Sequence, residues 1–216
     1  MLPKLPTISR LYAFCFLFFS FGLSSQPTFE FQHFNTQDGL SQSSIVCILQ
    51  DSQGFMWFGT YDGLNRYDGF GFKVYKAVIG DSTHLQNNNI YALHEDHHGV
   101  LWVGTMGGGI SRYDRERDNF QTFLNNPNDS TSISNNNVRH FTEDREGYLW
   151  VATWGGGVNR FNPETGKCRR FVHDSENSNS LQDNIVNKVV IDSWGTVWMA
   201  TTKGLDRYLP KEKIFQ

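Results

Sequence analysis

One ten-residue phrase occurs four times in this chain: DSQGFMWFGT at 51–60, DHHGVLWVGT at 96–105, DREGYLWVAT at 144–153 and DSWGTVWMAT at 192–201. Asp, Gly, Trp and Thr hold the same offsets in every copy. The tryptophans Trp57, Trp102, Trp150 and Trp198 are 45, 48 and 48 residues apart. A repeat of this length is one supersecondary unit that cannot bury its apolar faces alone and must stack on its neighbours. The architecture follows from the repeat, and interest shifts to the positions where the copies disagree.

Each unit reads as four short strands joined by tight turns. Apolar residues stand six and three places before the aspartate: Ile45 and Ile48, Ile90 and Leu93, Val138 and Phe141, Val186 and Val189. A Leu or Ile eleven places before it (Leu40, Leu85, Ile133, Leu181) opens the unit. The DxxG turn follows, in which the aspartate accepts backbone hydrogen bonds and the glycine takes a positive φ. The second strand is apolar on both faces, as in a sheet sandwiched between sheets. Its Trp shares a face with a Gly or Ala two residues later, which leaves room for an adjacent unit. The expected fold is all-β, with four four-stranded β-propeller blades at about 40–75, 85–123, 133–171 and 181–216. The four Trp belong to the scaffold on this reading. Phe31 and Phe34 copy the spacing of Phe72 and Tyr75 and predict one extra fourth strand before the first unit. With the strand beginning at 213–216, a four-bladed ring has one strand too many, so the chain reads as part of a larger propeller with an open edge on blade 4.

Residues 1–25 stand outside the repeat. Lys4 and Arg10, an uncharged apolar run at 11–23, and Ser24 and Ser25 have the layout of a secretory signal peptide. The run is shorter than the roughly 18 residues a spanning helix needs. An uncleaved anchor is the alternative. Without this segment 17 basic residues face 22 acidic ones. No basic stretch follows a phosphate backbone, which argues against nucleic acid. Cys47 and Cys168 lack metal-ligand spacing, so free thiols are expected, with a disulfide between them left open.

The pattern resembles the two-component regulator propeller repeat, whose members read V, I, D, G, lWiGT and GGlnRY in order. The resemblance covers residues 28–216 and includes the Asn-rich lead-ins QNNNI, SNNNV and QDNIV. It implies a seven-bladed periplasmic propeller, of which this chain holds an incomplete part. Such propellers precede a membrane-bound histidine kinase in hybrid two-component sensors of Bacteroidetes-type bacteria. The partners implied are an oligosaccharide or other small ligand, the remaining blades and the kinase, and a dimer is allowed. No cofactor is implied.

A feature present in every blade does a scaffold job, whereas a ligand contact has reason to appear once. Arg66, Arg112, Arg160 and Arg207 recur at one place and are expected to make inter-blade hydrogen bonds or ion pairs. The copies diverge just after the Thr, which marks Tyr61, Asp62, Met106, Trp154 and Lys203, with Thr202, as ligand-binding candidates on one rim. Trp154, beside three glycines, either stacks on a sugar face or packs against a neighbouring loop. Trp194, inside a DxxG turn, belongs to the other end of the hairpin. His94, His97 and His98 lack a second ligand set, and Asp81 and Asp129 read as solvated loop, so no metal site is expected. The function expected is an extracytoplasmic, non-enzymatic sensor of oligosaccharides. The alternatives are a propeller enzyme on glycans, sialidase- or lyase-like, and a protein-binding propeller. Against a sialidase, DxxGxxW is one residue longer between Asp and Gly than that family's Asp-box, and no paired carboxylates stand out.

Overall fold

The computed structural model describes residues 30–210 and 214–215. The expected signal peptide, 1–25, lies outside the described residues. The chain divides into two compact units, Met1–His33 and Phe34–Gln216. Of the first, only residues 30–33 are described, and they form no regular element.

The second unit holds four antiparallel sheets, each of four strands in chain order. Blade 1 comprises β1 (Ile45–Gln50), β2 (Met56–Thr60), β3 (Gly63–Tyr67) and β4 (Phe72–Tyr75). Blade 2 comprises β5 (Ile90–Glu95), β6 (Leu101–Thr105), β7 (Ile110–Asp114) and β8 (Asn119–Phe123). Blade 3 comprises β9 (Val138–Glu143), β10 (Leu149–Thr153), β11 (Val158–Phe161) and β12 (Cys168–Phe171). Blade 4 comprises β13 (Val186–Ile191), β14 (Val197–Thr201), β15 (Gly204–Leu209) and β16 (Ile214–Phe215). The blades stack in sequence order through their first strands, β1 on β5, β5 on β9 and β9 on β13.

The repeated phrase builds each blade in the same way. Asp96 Oδ1 accepts the amides of His98 (3.0 Å) and Val100 (2.9 Å), while Oδ2 accepts the Trp102 indole N–H at 2.7 Å. Asp51, Asp144 and Asp192 repeat this geometry on Trp57, Trp150 and Trp198. One carboxylate therefore closes the turn and fixes the core ring. Three apolar clusters fill the three junctions, with Trp57, Trp102 and Trp150 in one each. Gly59 lies against Ile90 of blade 2, where an added Cβ would come within 2.8 Å of that side chain. The small residue does make room for the next blade.

The Asn-rich lead-ins are staples between blades. Asn136 O accepts the amides of Gly107 (3.1 Å) and Gly109 (3.0 Å) of the preceding blade, and its side chain accepts Asn125 N at 2.7 Å. Asn184 does the same for Gly155, Gly157 and His173. Gly157 has φ +70, and a Cβ there would meet Phe171 O at 2.2 Å. The polar loops before blades 2, 3 and 4 lie along the outer strand of the blade they introduce. Thr83 O accepts Phe120 N, Thr131 O accepts Cys168 N and Asn179 O accepts Phe215 N. Asp81 and Asp129, expected in solvated loop, each accept the amide and hydroxyl of the Thr two residues on, which orders those loops.

Three expectations are corrected. Phe31 and Phe34 lie in no strand, and each of the four sheets takes its fourth strand from its own repeat. Phe34 instead packs its ring on Tyr67 and Phe72, at 5.2 and 5.5 Å. Blade 4 presents an open face rather than an open edge: Val190 and Leu205 are exposed on that face, whereas outer strand β16 is engaged by Asn179. Ile48 is likewise exposed on the opposite face of blade 1. Among the repeated arginines, Arg66 reaches the next blade through Tyr113 Oη at 3.3 Å. Arg112 and Arg160 stay within their own blades, on Gln121 and on Asp144 with Glu146, because the register places them beside their own hairpin. The ion pairs joining blades 1 and 2 come from Arg115, which takes Asp51 of blade 1 and Glu95 of its own blade, and from Lys73 on Asp118. Cys47 and Cys168 are free thiols, as expected; they lie in different blades, and burial pushes them up to about 12 and about 11.

Candidate functional site

The antiparallel order puts the loops after β2, β6, β10 and β14 at the same end of the sheets as the starts of the first strands. Each first strand carries an irregularity near its start, where one extra residue has no partner: Val46, Tyr91, Arg139 and Asn187. Such bulges re-aim a side chain. At three of the four blades the result is a continuous array. The rings of Tyr61 and Tyr91 meet edge to face at 5.8 Å. The guanidinium of Arg139 lies 4.7 Å from the centre of the Tyr91 ring and 4.2 Å from that of Trp154. Tyr61 comes from blade 1, Tyr91 from blade 2, and Arg139 and Trp154 from blade 3. Guanidinium over an aromatic face is attractive through the ring quadrupole.

The array is held by backbone. Trp154 N donates to Asn137 O at 2.9 Å, and Gly155 N donates to Asn184 O of blade 4 at 3.0 Å. Trp154 is still 37% exposed and Tyr61 46%, so both residues retain open surface for a partner.

The five candidates therefore separate. Tyr61 and Trp154 join one array through two residues the sequence reading passed over, Tyr91 and Arg139. Met106 is half-buried and bridges to Asn137 through its backbone. The Asp62 carboxylate is occupied by Lys76, at 2.7 Å. Lys203 is exposed on blade 4, and none of the described contacts joins it to the array. The signal for Tyr91 and Arg139 was present in the sequence: the second residue of the first strand differs in all four copies.

His140, next to Arg139, has a different consequence. Burial, then the charges of Lys188 and His94, hold its imidazole down at about 4. An unfolded imidazole titrates near 6.5, so between pH 6.5 and 4 the unfolded chain binds a proton that the folded chain refuses. His140 therefore stabilises above pH 6.5, and that contribution is lost as pH falls toward 4. His94 shifts in the same direction. His97, raised by its Glu143 partner, and Asp206, raised by burial, act in the opposite sense. The expected effect of His140 is roughly 1–2 kcal/mol after discounting for residual solvent. Urea midpoints taken across this range should fall with acid, and less steeply in His140→Gln; parallel curves for the two proteins would refute the assignment.

No cluster of three or more metal-binding side chains occurs among the described residues. His94 and His97 both address Glu143, a carboxylate already engaged by His97 N at 2.9 Å.

The model of the family described as Two component regulator propeller matches residues 39–62, 84–107 and 132–155. Three of the four repeats thus match the two component regulator propeller repeat. Each matched segment runs from the lead-in through the DxxG turn and second strand into the loop that carries Tyr61, Met106 or Trp154. Over 71 residues the chain is 46% identical to Histidine kinase P4 of Formosa agariphila, covering 32% of this chain and 5% of that protein. The chain is also similar to the extracellular domain assigned to a hybrid two component system of B. thetaiotaomicron, at 26% identity and TM-score 0.62. That match covers 86% of this chain and 31% of the other. Virginiamycin B lyase of Staphylococcus aureus, at 16% identity and TM-score 0.56, shares the fold alone, over 79% of this chain and 54% of that one. The propeller repeats here thus span a small part of the kinase and about a third of the solved extracellular domain. Among the described residues no helix is long and apolar enough to cross a membrane.

Proposed function

We propose that this chain is part of the ligand-binding propeller of a two component sensor, that it is exported to the periplasm, and that it recognises an oligosaccharide. The array of Tyr61, Tyr91, Arg139 and Trp154 carries the reading. It draws on three blades, it occupies positions where the repeats stop agreeing, and it leaves Trp154 and Tyr61 partly exposed. Exposed rings with a polar group between them suit a pyranose, which offers apolar C–H faces and hydroxyl edges. The family of the repeats and the extracellular domain they resemble support the sensor role. Phosphotransfer would belong to a kinase in the longer protein, with this segment acting as receptor.

Isothermal titration with a panel of neutral and acidic tetrasaccharides tests the reading. Saturable binding should weaken about tenfold in Trp154→Ala, the scale of one lost stacking contact. The melting temperature should fall by no more than about 5 °C, because Trp154 is partly exposed and outside the three core clusters. Binding indifferent to Trp154, or none across the panel, would count against it. The fold likeness to virginiamycin B lyase keeps an enzyme as the second reading. Turnover of a panel member during the titration would favour that reading.

A further inference from the structure

Arg139 is held by aromatic rings and by no acceptor among the described residues. Arg66, Arg112, Arg115, Arg160 and Arg170 each donate side-chain hydrogen bonds to acceptors in the protein. Among the described residues Arg139 donates none and forms no ion pair, and its only close partners are the two ring faces. Ring faces take the flat sides of a guanidinium and leave its five N–H donors, all in the plane of the fork, free to meet water or a ligand. The side chain is half-buried, which weakens its hydration and strengthens any charge it meets. Its position on the strand is a bulge, so the re-aimed side chain is part of the backbone design of blade 3.

We propose that Arg139 is a receptor for the carboxylate of an acidic sugar, with Tyr91 and Trp154 fixing the plane of the fork. This rests on the reading of the same array as a saccharide site. The fork of a guanidinium matches the two oxygens of a carboxylate bidentately. The ring carrying that carboxylate would then lie beside the exposed faces of Trp154 and Tyr61. A neutral sugar offers Arg139 only hydroxyls, which make weaker uncharged acceptors. Uronic-acid oligosaccharides are therefore the class the site selects, and the selectivity should fade with added salt to the extent that the pair stays solvent-accessible.

The test uses tetragalacturonate and tetramannuronate, each beside its carboxyl-reduced counterpart, titrated into the full chain. At least one acid should bind about tenfold or more tightly than its reduced form, the size of one charge-assisted contact. Arg139→Gln should bring the pair to equal affinity while the reduced sugar binds as before. Arg139→Lys keeps the charge without the planar fork and should recover only part of the preference. Thermal melts of both variants show whether the blade still folds, and the Lys variant keeps the comparison informative if the Gln variant does not. Equal binding of acid and reduced sugar, or a preference that survives in Arg139→Gln, overturns the carboxylate receptor and leaves the saccharide site standing. Binding by none of the four probes, with neutral tetrasaccharides also silent, overturns the saccharide site and the receptor with it.

Discussion

Replacing Trp102 by Ala should cost roughly 3–5 kcal/mol, the range for removing a large buried aromatic ring from a packed core. Trp102 is fully buried at the junction of blades 2 and 3, where it meets Phe123 and Phe161 at 6.1 and 5.5 Å. A loss of that size is a large share of the roughly 5–15 kcal/mol that holds a domain together. Trp198 has the same place in its repeat and the same bond to its aspartate, but lies on the open face of blade 4 and is only half-buried. Trp198→Ala should therefore cost clearly less, about 1–2 kcal/mol, in proportion to the smaller area it withdraws from water. Denaturant unfolding of the two variants side by side makes the comparison. Equal losses would mean that the aspartate bond, and not the junction, determines the value of the ring.

The aspartate bond has its own test. Asp96→Ala deletes the acceptor of three donors at once: two turn amides and the buried indole N–H of Trp102. The turn amides can be met by water, but the indole nitrogen is sealed in the core. An orphaned buried donor costs about 1–3 kcal/mol, and the lost turn bonds add roughly 1 more, so about 3 kcal/mol is expected. Repeating Asp96→Ala in a Trp102→Phe background removes the donor first. The penalty should then shrink by at least about 1 kcal/mol in the double-mutant cycle. An unchanged penalty would show that Asp96 acts only on the turn.

The fold was legible because four copies agree, and agreement identifies the residues whose work is packing or turning. Strand order, the DxxG turns, the buried Leu85, Ile133 and Leu181, and the small residues opposite neighbouring blades all follow from spacing alone. What spacing does not reveal is which atom bonds to which. The second oxygen of each turn aspartate holding a tryptophan was invisible, because Asp and Trp are equally constant whether or not they touch. The repeated arginines misled for the same reason: constancy marked them as scaffold but could not say that Arg160 stays at home while Arg115, outside the pattern, crosses to blade 1. The candidate site was half legible. Tyr61 and Trp154 stand where the copies diverge after the Thr, but Tyr91 and Arg139 diverge inside a strand whose alternation looks regular until the bulge is seen. A bulge is a backbone event with no residue signature of its own here, since Val, Tyr, Arg and Asn all occupy it.

The polar loops that lie along the outer strands also bear on how such a chain can change in length over time. Because the loop at 76–89 engages the outer strand of the blade it introduces, the self-contained piece of gene is a loop followed by four strands. A duplication or deletion cut just after an outer strand, near 76, 124 or 172, moves that piece whole, with its edge cover already attached. The same cut made inside a loop would strand half the cover on the wrong side. Recombination that survives selection should therefore add or remove blades at those three joints, each inheriting its own position for a residue such as Arg139, free to specialise without altering the frame that carries it.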